Sequence, residues 1–192
     1  MRSEDEVPTL PDLLRGGLKV VFVGINPSIF SAMKGHYFAR PTNRFWRAFS
    51  RSVLSRSARD AMGVAVLTPE QDRALLEHGF GFTDLVERPT VRAAEVTSAE
   101  FAAGIAALKA KLEQHRPRIA CFHGITGYRP VHCAIAPGAP EPSLGLQPER
   151  VGETRLFVGP SPSGANAHAT PAALTEWYDR LAACLDSTTR YG

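Results

Sequence analysis

Cysteine is scarce in this chain, with three residues, Cys121, Cys133 and Cys184, among 192. Three thiols make no disulfide framework, so packing must hold the fold, and a reducing compartment is expected. No apolar run approaches the ~18 residues that a membrane span needs. The acidic start MRSEDEVP also lacks the basic-then-apolar order of a secretory signal. Lysine is rare as well, four against 18 arginines. The most informative absence is of acid. No Asp or Glu occurs from Leu13 to Arg59, while Arg15, Lys19, Lys34, Arg40, Arg44, Arg47, Arg51, Arg56 and Arg59 do. That stretch carries +9 within a net charge of +3, so the remainder carries −6. Arginine's planar fork suits phosphate contacts, and a polyanion-facing surface is one reading of the stretch; an ordinary solvated face is the other.

What is present describes one globular domain. Hydrophobic residues make up 44% and charged residues 21%, and a chain of this length buries about 70% of its extended surface. Residues 1–16 read as a flexible leader, 17–186 as a single domain and 187–192 as a tail. Lys19–Val23 is a short β-branched run bounded by glycines, the pattern of a buried central strand. Pro27 keeps Asn26 out of the helical region, which makes GINPS a tight loop leaving that strand. Residues 28–41 read as irregular. A helix is expected from Thr42 or Asn43, with Arg40, Arg44, Arg47 and Arg51 on one face and Phe45 and Phe49 on the other. Pro69 to Gly79 reads as a helix, and Thr97 with Glu100 suggests a capping box opening a long helix to His115. Arg118–Phe122 and Arg155–Val158 are further strands, residues 137–153 a surface loop, and Pro171 to Cys184 a last helix. The order argues for an α/β fold, a three-layer αβα sandwich with a mainly parallel central sheet.

GINPS and PSPSGANAH each follow an apolar strand. If those strands are parallel near the sheet centre, both loops open on one edge and can form one pocket floored by backbone amides. Ordinary Gly/Pro-rich connections would look the same. Cys121, His123, His132 and Cys133 carry metal-capable atoms, but their spacing is no compact zinc pattern, and core or turn roles are the preferred reading.

Taken together, GLKVVFVGINPS, RPTNRFW, GFTDLVERPT, the strand near RIACF and LFVGPSPSGANA resemble the mismatch-specific uracil-DNA glycosylases, the family that also includes thymine-DNA glycosylases. The resemblance runs from about Gly17 to Leu185. Related uracil glycosylases with an iron–sulfur cluster need four cysteine ligands, and three cysteines place this chain outside that branch.

The resemblance implies residue roles. Asn26 would order the water that attacks the deoxyribose C1′. An amide is no strong base, so positioning and electrostatics would carry a dissociative step. The resemblance places the segment of Asp84 near the pocket, where a carboxylate could activate that water or stabilise positive charge on the sugar; an ordinary capping or salt-bridge role, such as one with Arg88, is the plain alternative. Phe38 would stack on the flipped base, with Gly24, Ile25, Ser31 and Lys34 nearby and backbone groups of Ile25 and Phe38 reading its edge. On charge rather than resemblance, Arg44 and Arg47 of the basic stretch would meet phosphates. Ser161, Ser163, Gly164, Ala165, Asn166 and His168 would form a DNA-insertion loop. There the chain departs from the family. Ala165 stands where a bacterial enzyme usually has a leucine wedge, and Ala167 where it has an arginine.

The function implied is hydrolysis of the N-glycosidic bond of uracil, or other deaminated or damaged bases, in mismatched double-stranded DNA. Free base is released and an abasic site remains. No lysine is an obvious Schiff-base former, so no lyase step is expected. The alternatives are a catalytically weak module that binds damaged or abasic DNA, and an α/β hydrolase of small molecules. No cofactor or metal is expected. The expected partner is double-stranded DNA with a flipped base, bound by a monomer in the cytoplasm and on the nucleoid, with no membrane.

Overall fold

The computed structural model describes residues 7–167 and 169–186. The run Val20–Gly24 forms strand β1, buried along its whole length. It lies between β2 (Phe80–Asp84) and β3 (Ile119–His123). Beyond β3 come β5 (Thr154–Gly159) and the edge strand β4 (Gly145–Val151), giving the order β2-β1-β3-β5-β4. All neighbouring pairs are parallel except β4 with β5. This is the expected three-layer α/β sandwich with a mainly parallel sheet.

Strand periodicity divides the core. Val20 and Phe22 face one layer, packed with α2 (Phe45–Arg51) and α6 (Pro171–Asp186) through Phe45, Phe49, Leu174, Tyr178 and Leu181. Val21 and Val23 face the other, against α4 (Ser98–His115) and α5 (Ile125–Ile135) through Ile105, Leu108, Leu112, Tyr128 and Val131. Alternate residues of one strand thus feed two cores, which is why β1 reads as a continuous apolar run. Phe22 is the hub of the first layer, with the rings of Phe45, Phe49, Phe80 and Phe82 at centroid distances of 4.9, 5.4, 6.2 and 5.6 Å.

Several local expectations are corrected. Residues 28–41 are not wholly irregular: α1 (Ile29–Lys34) forms there, because the Ser28 side chain accepts from the Ser31 N–H and caps it. Residues 69–78 are two 3₁₀ turns, Pro69–Gln71 and Ala74–His78, rather than one helix. They flank Asp72, whose fully buried carboxylate takes the backbone N–H of Arg73. Residues 137–153 contain β4, a polar edge strand that holds Pro148 where its register against β5 shifts. The segment ITGYRPVHCAI is helical despite Pro130, because Tyr128 and Val131 bury a common face. Helix α2 begins at Phe45, so Arg40 is not on it and Arg44 stands at its N-cap; α3 (Arg56–Met62) follows.

The leader expected to be flexible is tied down where it is described. Leu10 and Leu13 are buried, and Leu13 exchanges both backbone hydrogen bonds with Phe82 at 2.9 and 3.0 Å. The Thr83 hydroxyl donates to Asp12 at 2.6 Å. Residues 1–6 and the tail 187–192 lie outside the described residues. No described helix is long and apolar enough to cross a membrane.

Gly104 tests how tightly the α4 layer sits. A Cβ there would stand 2.0 Å from the Leu85 carbonyl oxygen. Helix propensity alone favours Gly104→Ala by ~1 kcal/mol. The clash is with backbone that cannot give way, so the variant should instead lose about 1–3 kcal/mol in urea unfolding. Unchanged or increased stability would mean that α4 does not press on the chain leaving β2.

Candidate active site

Because β1, β3 and β5 are parallel neighbours, their carboxyl ends fall on one sheet edge, and β2 adds Asp84 beside Gly24. The connections that leave them enclose a cavity of about 660 Å³. The two Gly/Pro-rich loops line it together, through Gly24, Ile25 and Asn26 on one side and Ser161, Ser163, Gly164 and Ala165 on the other. Phe38, Ser31, Asp84 and His123 complete the inner wall, and Arg40 and Arg92 reach it from opposite segments.

Asn26 is oriented without ambiguity. Its Nδ2 donates to the Arg88 carbonyl at 2.9 Å and to the Thr90 hydroxyl at 2.8 Å. The Thr90 hydroxyl passes its own hydrogen to the Arg92 carbonyl at 2.8 Å, so it must accept from Asn26. Both amide hydrogens are thereby spent on the 88–92 segment, and Oδ1 is the atom left to hold a ligand or a water. Arg88 does not pair with Asp84. Its guanidinium meets Glu100, which it holds down at about 2, far below the ordinary carboxylate value. The Glu100 carboxylate also closes the capping box with Thr97, its Oε2 2.8 Å from the Thr97 N–H. The support of Asn26 therefore runs back to the first turn of α4.

Asp84 is 7% exposed. A Cβ on Gly24 would lie 2.1 Å from Asp84 Oδ1, so only glycine lets the two strand ends sit this way. Among the described residues no protein group donates to this carboxyl. Its pKa rises from 3.8 to about 8, because burial and then the Asp12 charge disfavour ionisation, with Lys111 opposing. Lys111 itself pairs with Asp12 at 2.7 Å.

Phe38 has φ 53°, one of two non-glycine residues with positive φ among those described. For an aromatic residue this costs on the order of 1 kcal/mol or more. Its ring lies 4.6 Å from that of Phe45 and 5.4 Å, edge to face, from that of His123. His123 stacks on Phe22 at 5.9 Å, and its Nε2 pairs with the Tyr178 hydroxyl at 3.1 Å. Burial lowers its pKa to about 3, so the ring is a neutral part of the wall at physiological pH. Cys121 is buried inside β3 and Cys133 is exposed on α5. Among the described residues no three His, Cys, Asp or Glu side chains gather closely enough to share an ion.

Other candidates are placed less centrally. Lys34 stands 5.9 Å above the Phe30 ring, outside the cavity wall. Ile25 lends the wall its residue, but its carbonyl already accepts from Val86 at 2.9 Å. Arg47 is exposed on α2 away from the cavity. Arg44 staples the second loop to α2: its Nη1 donates to the carbonyls of Asn166 and Ala169 at 2.7 and 2.6 Å, and its backbone N–H to Pro162 at 2.9 Å. Within that loop the hydroxyls of Ser161 and Ser163 accept from the N–H groups of Ser163 and Ala165, both at 3.3 Å. Among the described residues their hydrogens meet no acceptor. Asn166 Nδ2 turns inward to the Ser161 carbonyl at 3.0 Å. Ala165 is exposed at the cavity rim, and His168 lies outside the described residues.

Sequence reasoning missed Thr90, Arg92 and Asp72. Thr90 closes the Arg88-Pro89-Thr90 triplet and Arg92 lies two residues beyond it, and a proline-fixed segment after a strand end is a signal that could have drawn attention to them. Asp72 has no local signal, because apart from the adjacent Arg73 N–H its partners are 35 and 36 positions away.

The profile of the uracil DNA glycosylase superfamily matches residues 11–182. A curated relative, the G/U mismatch-specific uracil DNA glycosylase of Schizosaccharomyces pombe, is 34% identical over 161 residues. That match covers 82% of this chain and 48% of the yeast protein, so the chain spans about half the length of the relative. The solution NMR structure of a candidate uracil DNA glycosylase from Methanosarcina acetivorans superposes with a TM-score of 0.53 at 22% identity. It covers 92% of this chain and 98% of that one, a likeness of fold alone.

The raised pKa of Asp84 makes stability depend on pH with a definite sign. Between its ordinary 3.8 and about 8 the native chain holds a proton that the unfolded chain has lost, so stability falls as pH rises through that window. Asp84→Asn removes this penalty. It should stabilise the protein by roughly 3–4 kcal/mol near neutral pH, with the gain shrinking toward zero as pH approaches 4. Thermal unfolding across that range checks it, and a variant less stable than the parent at neutral pH would show the carboxyl to be ionised and paired.

Proposed function

We propose a function from one premise: this chain belongs to the uracil-DNA glycosylase superfamily. It is a monofunctional, mismatch-directed uracil-DNA glycosylase that hydrolyses the bond between uracil N1 and the deoxyribose C1′ in double-stranded DNA. Free uracil is released and an abasic site is left; other deaminated bases of similar shape are further substrates. The observation that carries this reading is the single free acceptor of Asn26, with Asp84 and Phe38 in the wall of the same cavity.

The steps follow from the groups present. A base turned out of the duplex stacks on Phe38, whose ring forms an apolar wall. The C1′–N1 bond breaks with its electron pair going to the base, and positive charge develops on the sugar. Water held by Asn26 Oδ1 closes on C1′. Its proton passes to the Asp84 carboxylate, which lies in a dry site where its charge also favours the cationic sugar. A base with a pKa of about 8 is partly ionised at neutral pH yet strong enough to take the proton. Arg40 and Arg92 at the mouth, the outward Arg47 and the free hydroxyls of Ser161 and Ser163 supply phosphate contacts that position the duplex.

Two observations favour a second reading. At neutral pH most of Asp84 is protonated, and Ala165 offers only a methyl group to the vacated stack. A chain with these features could bind damaged or abasic DNA with little turnover. Uracil release from duplexes with uracil opposite guanine or adenine separates the two. Retained affinity for abasic duplex without any release selects the binder.

Two outcomes are expected of the enzyme. Asn26→Ala should lower the single-turnover release of uracil by about 100-fold or more while duplex affinity stays within about threefold. The release rate should rise about tenfold per pH unit up to about 8 and then level off, because the active form of Asp84 is the carboxylate. In Asp84→Asn the rate should be lower and that rise should vanish. A parent rate that falls with pH would instead assign Asp84 the role of a neutral hydrogen-bond donor.

A further inference from the structure

Asp72 is 0% exposed, and its only ion-pair partner among the described residues is the His36 ring at 3.1 Å. A buried carboxylate must be compensated by donors. Two of its three come from the segment just before Phe38: Asp72 Oδ2 accepts the Tyr37 N–H at 3.0 Å, and Oδ1 pairs with His36 Nδ1. The third is the neighbouring Arg73 N–H at 2.7 Å.

The other flank of Phe38 is fixed as firmly. The Tyr37 carbonyl accepts from Trp46 Nε1 at 2.8 Å, and the Ala39 N–H donates to Ser31 Oγ at 3.1 Å. Between these anchors Phe38 stands in the left-handed region at φ 53°. Relaxing it to ordinary backbone would move the peptide groups on either side and strip Asp72 of the donors that make its burial tolerable.

We propose that Asp72 is a positioning residue for the reaction, acting through the 36–37 segment to hold Phe38 in its left-handed conformation with the ring against the cavity. The proposal rests on the reading of Phe38 as the base-stacking wall. A carboxylate is required because both of its oxygens accept. In Asp72→Asn an NH₂ group would face either Tyr37 N–H or the His36 and Arg73 side, setting a donor against a donor. Asp72 does not line the cavity, so its effect must pass through residue 38.

That requirement makes a double-mutant cycle decisive. Single-turnover uracil release from a G·U duplex is measured for the parent, Asp72→Asn, Phe38→Leu and the double variant, with the Kd of an undamaged duplex beside each. Asp72→Asn alone should slow release about 10- to 100-fold, since sub-ångström misplacement has effects of that size, and leave the Kd within about twofold. In the Phe38→Leu background the same change should cost less than about threefold. If Phe38→Leu slows release and Asp72→Asn multiplies its full factor onto it, Asp72 is merely structural and the proposal fails while the stacking wall survives. If Phe38→Leu leaves release unchanged, the stacking reading itself fails and the proposal with it. Full activity in Asp72→Asn also overturns the proposal. Should Asp72→Asn not fold, His36→Ala goes through the same cycle, because it removes one donor from a partly exposed position. Its smaller loss, about three- to tenfold, should likewise disappear without Phe38.

Discussion

Gly24 and Asp84 stand opposite each other in the parallel pairing of β1 and β2, and the missing side chain on the glycine leaves the space that the carboxyl fills. Much of the cavity follows from that contact. Asn26 is two residues beyond Gly24, so the turn that places it starts from a backbone already pressed against Asp84. The Leu85 and Val86 N–H groups donate to the Gly24 and Ile25 carbonyls at 3.0 and 2.9 Å, which extends the pairing past the strand ends. The chain is thereby steered toward Arg88 and Thr90, the two partners of Asn26. Among the described residues Asp84 receives no donor in return, and burial together with the Asp12 charge raises its pKa to about 8. On the proposed reading, the fold tolerates an unfavourable group where a carboxylate able to take a proton near neutral pH is useful, the usual compromise of stability at a reactive site.

The opposite wall is built on a different principle. Phe22, in the middle of β1, touches the rings of Phe45, Phe49, Phe82, His123 and Tyr178. Phe38 packs on the outer surface of this group, at 4.6 Å from Phe45 and 6.2 Å from Phe82. Core and cavity wall are therefore one aromatic body, with the Phe38 ring packed onto it from the irregular segment between α1 and α2. Edge-to-face contacts dominate it, and their preferred geometry helps fix each ring's angle as well as its depth. His123 belongs to this body: a neutral imidazole stacked on Phe22 behaves more as an aromatic than as a base.

How far the sequence foretold this varied with the kind of signal. Buried parallel strands announce themselves as short β-branched runs, and Val20–Gly24, Ile119–His123 and Thr154–Gly159 were each legible within one or two residues. The capping box at Thr97 was legible because both partners lie within one turn. The edge strand Gly145–Val151 was not, since one of its faces meets water and Pro148 sits in it. Nor was α5, where Gly127 and Pro130 weigh against a helix and only the burial of Tyr128 and Val131 restores it. Within the site, Asn26, Phe38 and Asp84 could be named from sequence because a resemblance carried them. What that resemblance could not carry is the holding of each: Thr90 for Asn26, Gly24 for Asp84, Asp72 for Phe38. Those partners act through three-dimensional proximity, on which residue spacing is silent.

The acid-free stretch from Leu13 to Arg59 also changes meaning once its charges are located. Arg15 is engaged with Glu77, Arg59 bonds Ser55 and Ala65 at 3.2 and 3.3 Å, and Arg44 is committed to the carbonyls of the 161–169 loop. These guanidiniums act within the fold, so the count of nine overstates the charge offered to a polyanion. Arg92, which lies outside the stretch, lines the cavity together with Arg40. Charge at the mouth therefore arises from two distant segments that the β1 and β2 connections bring together. On the proposed reading this matters more than the total, because exposed charges beyond about 8 Å are screened at physiological salt. Ala165 strengthens the point. On that same reading its methyl group covers little of a vacated base stack, so holding an extruded base falls to the Phe38 wall and to phosphate contacts around it. Arg44 serves those contacts indirectly, by keeping the Ser161 and Ser163 hydroxyls at the rim where a phosphate can meet them.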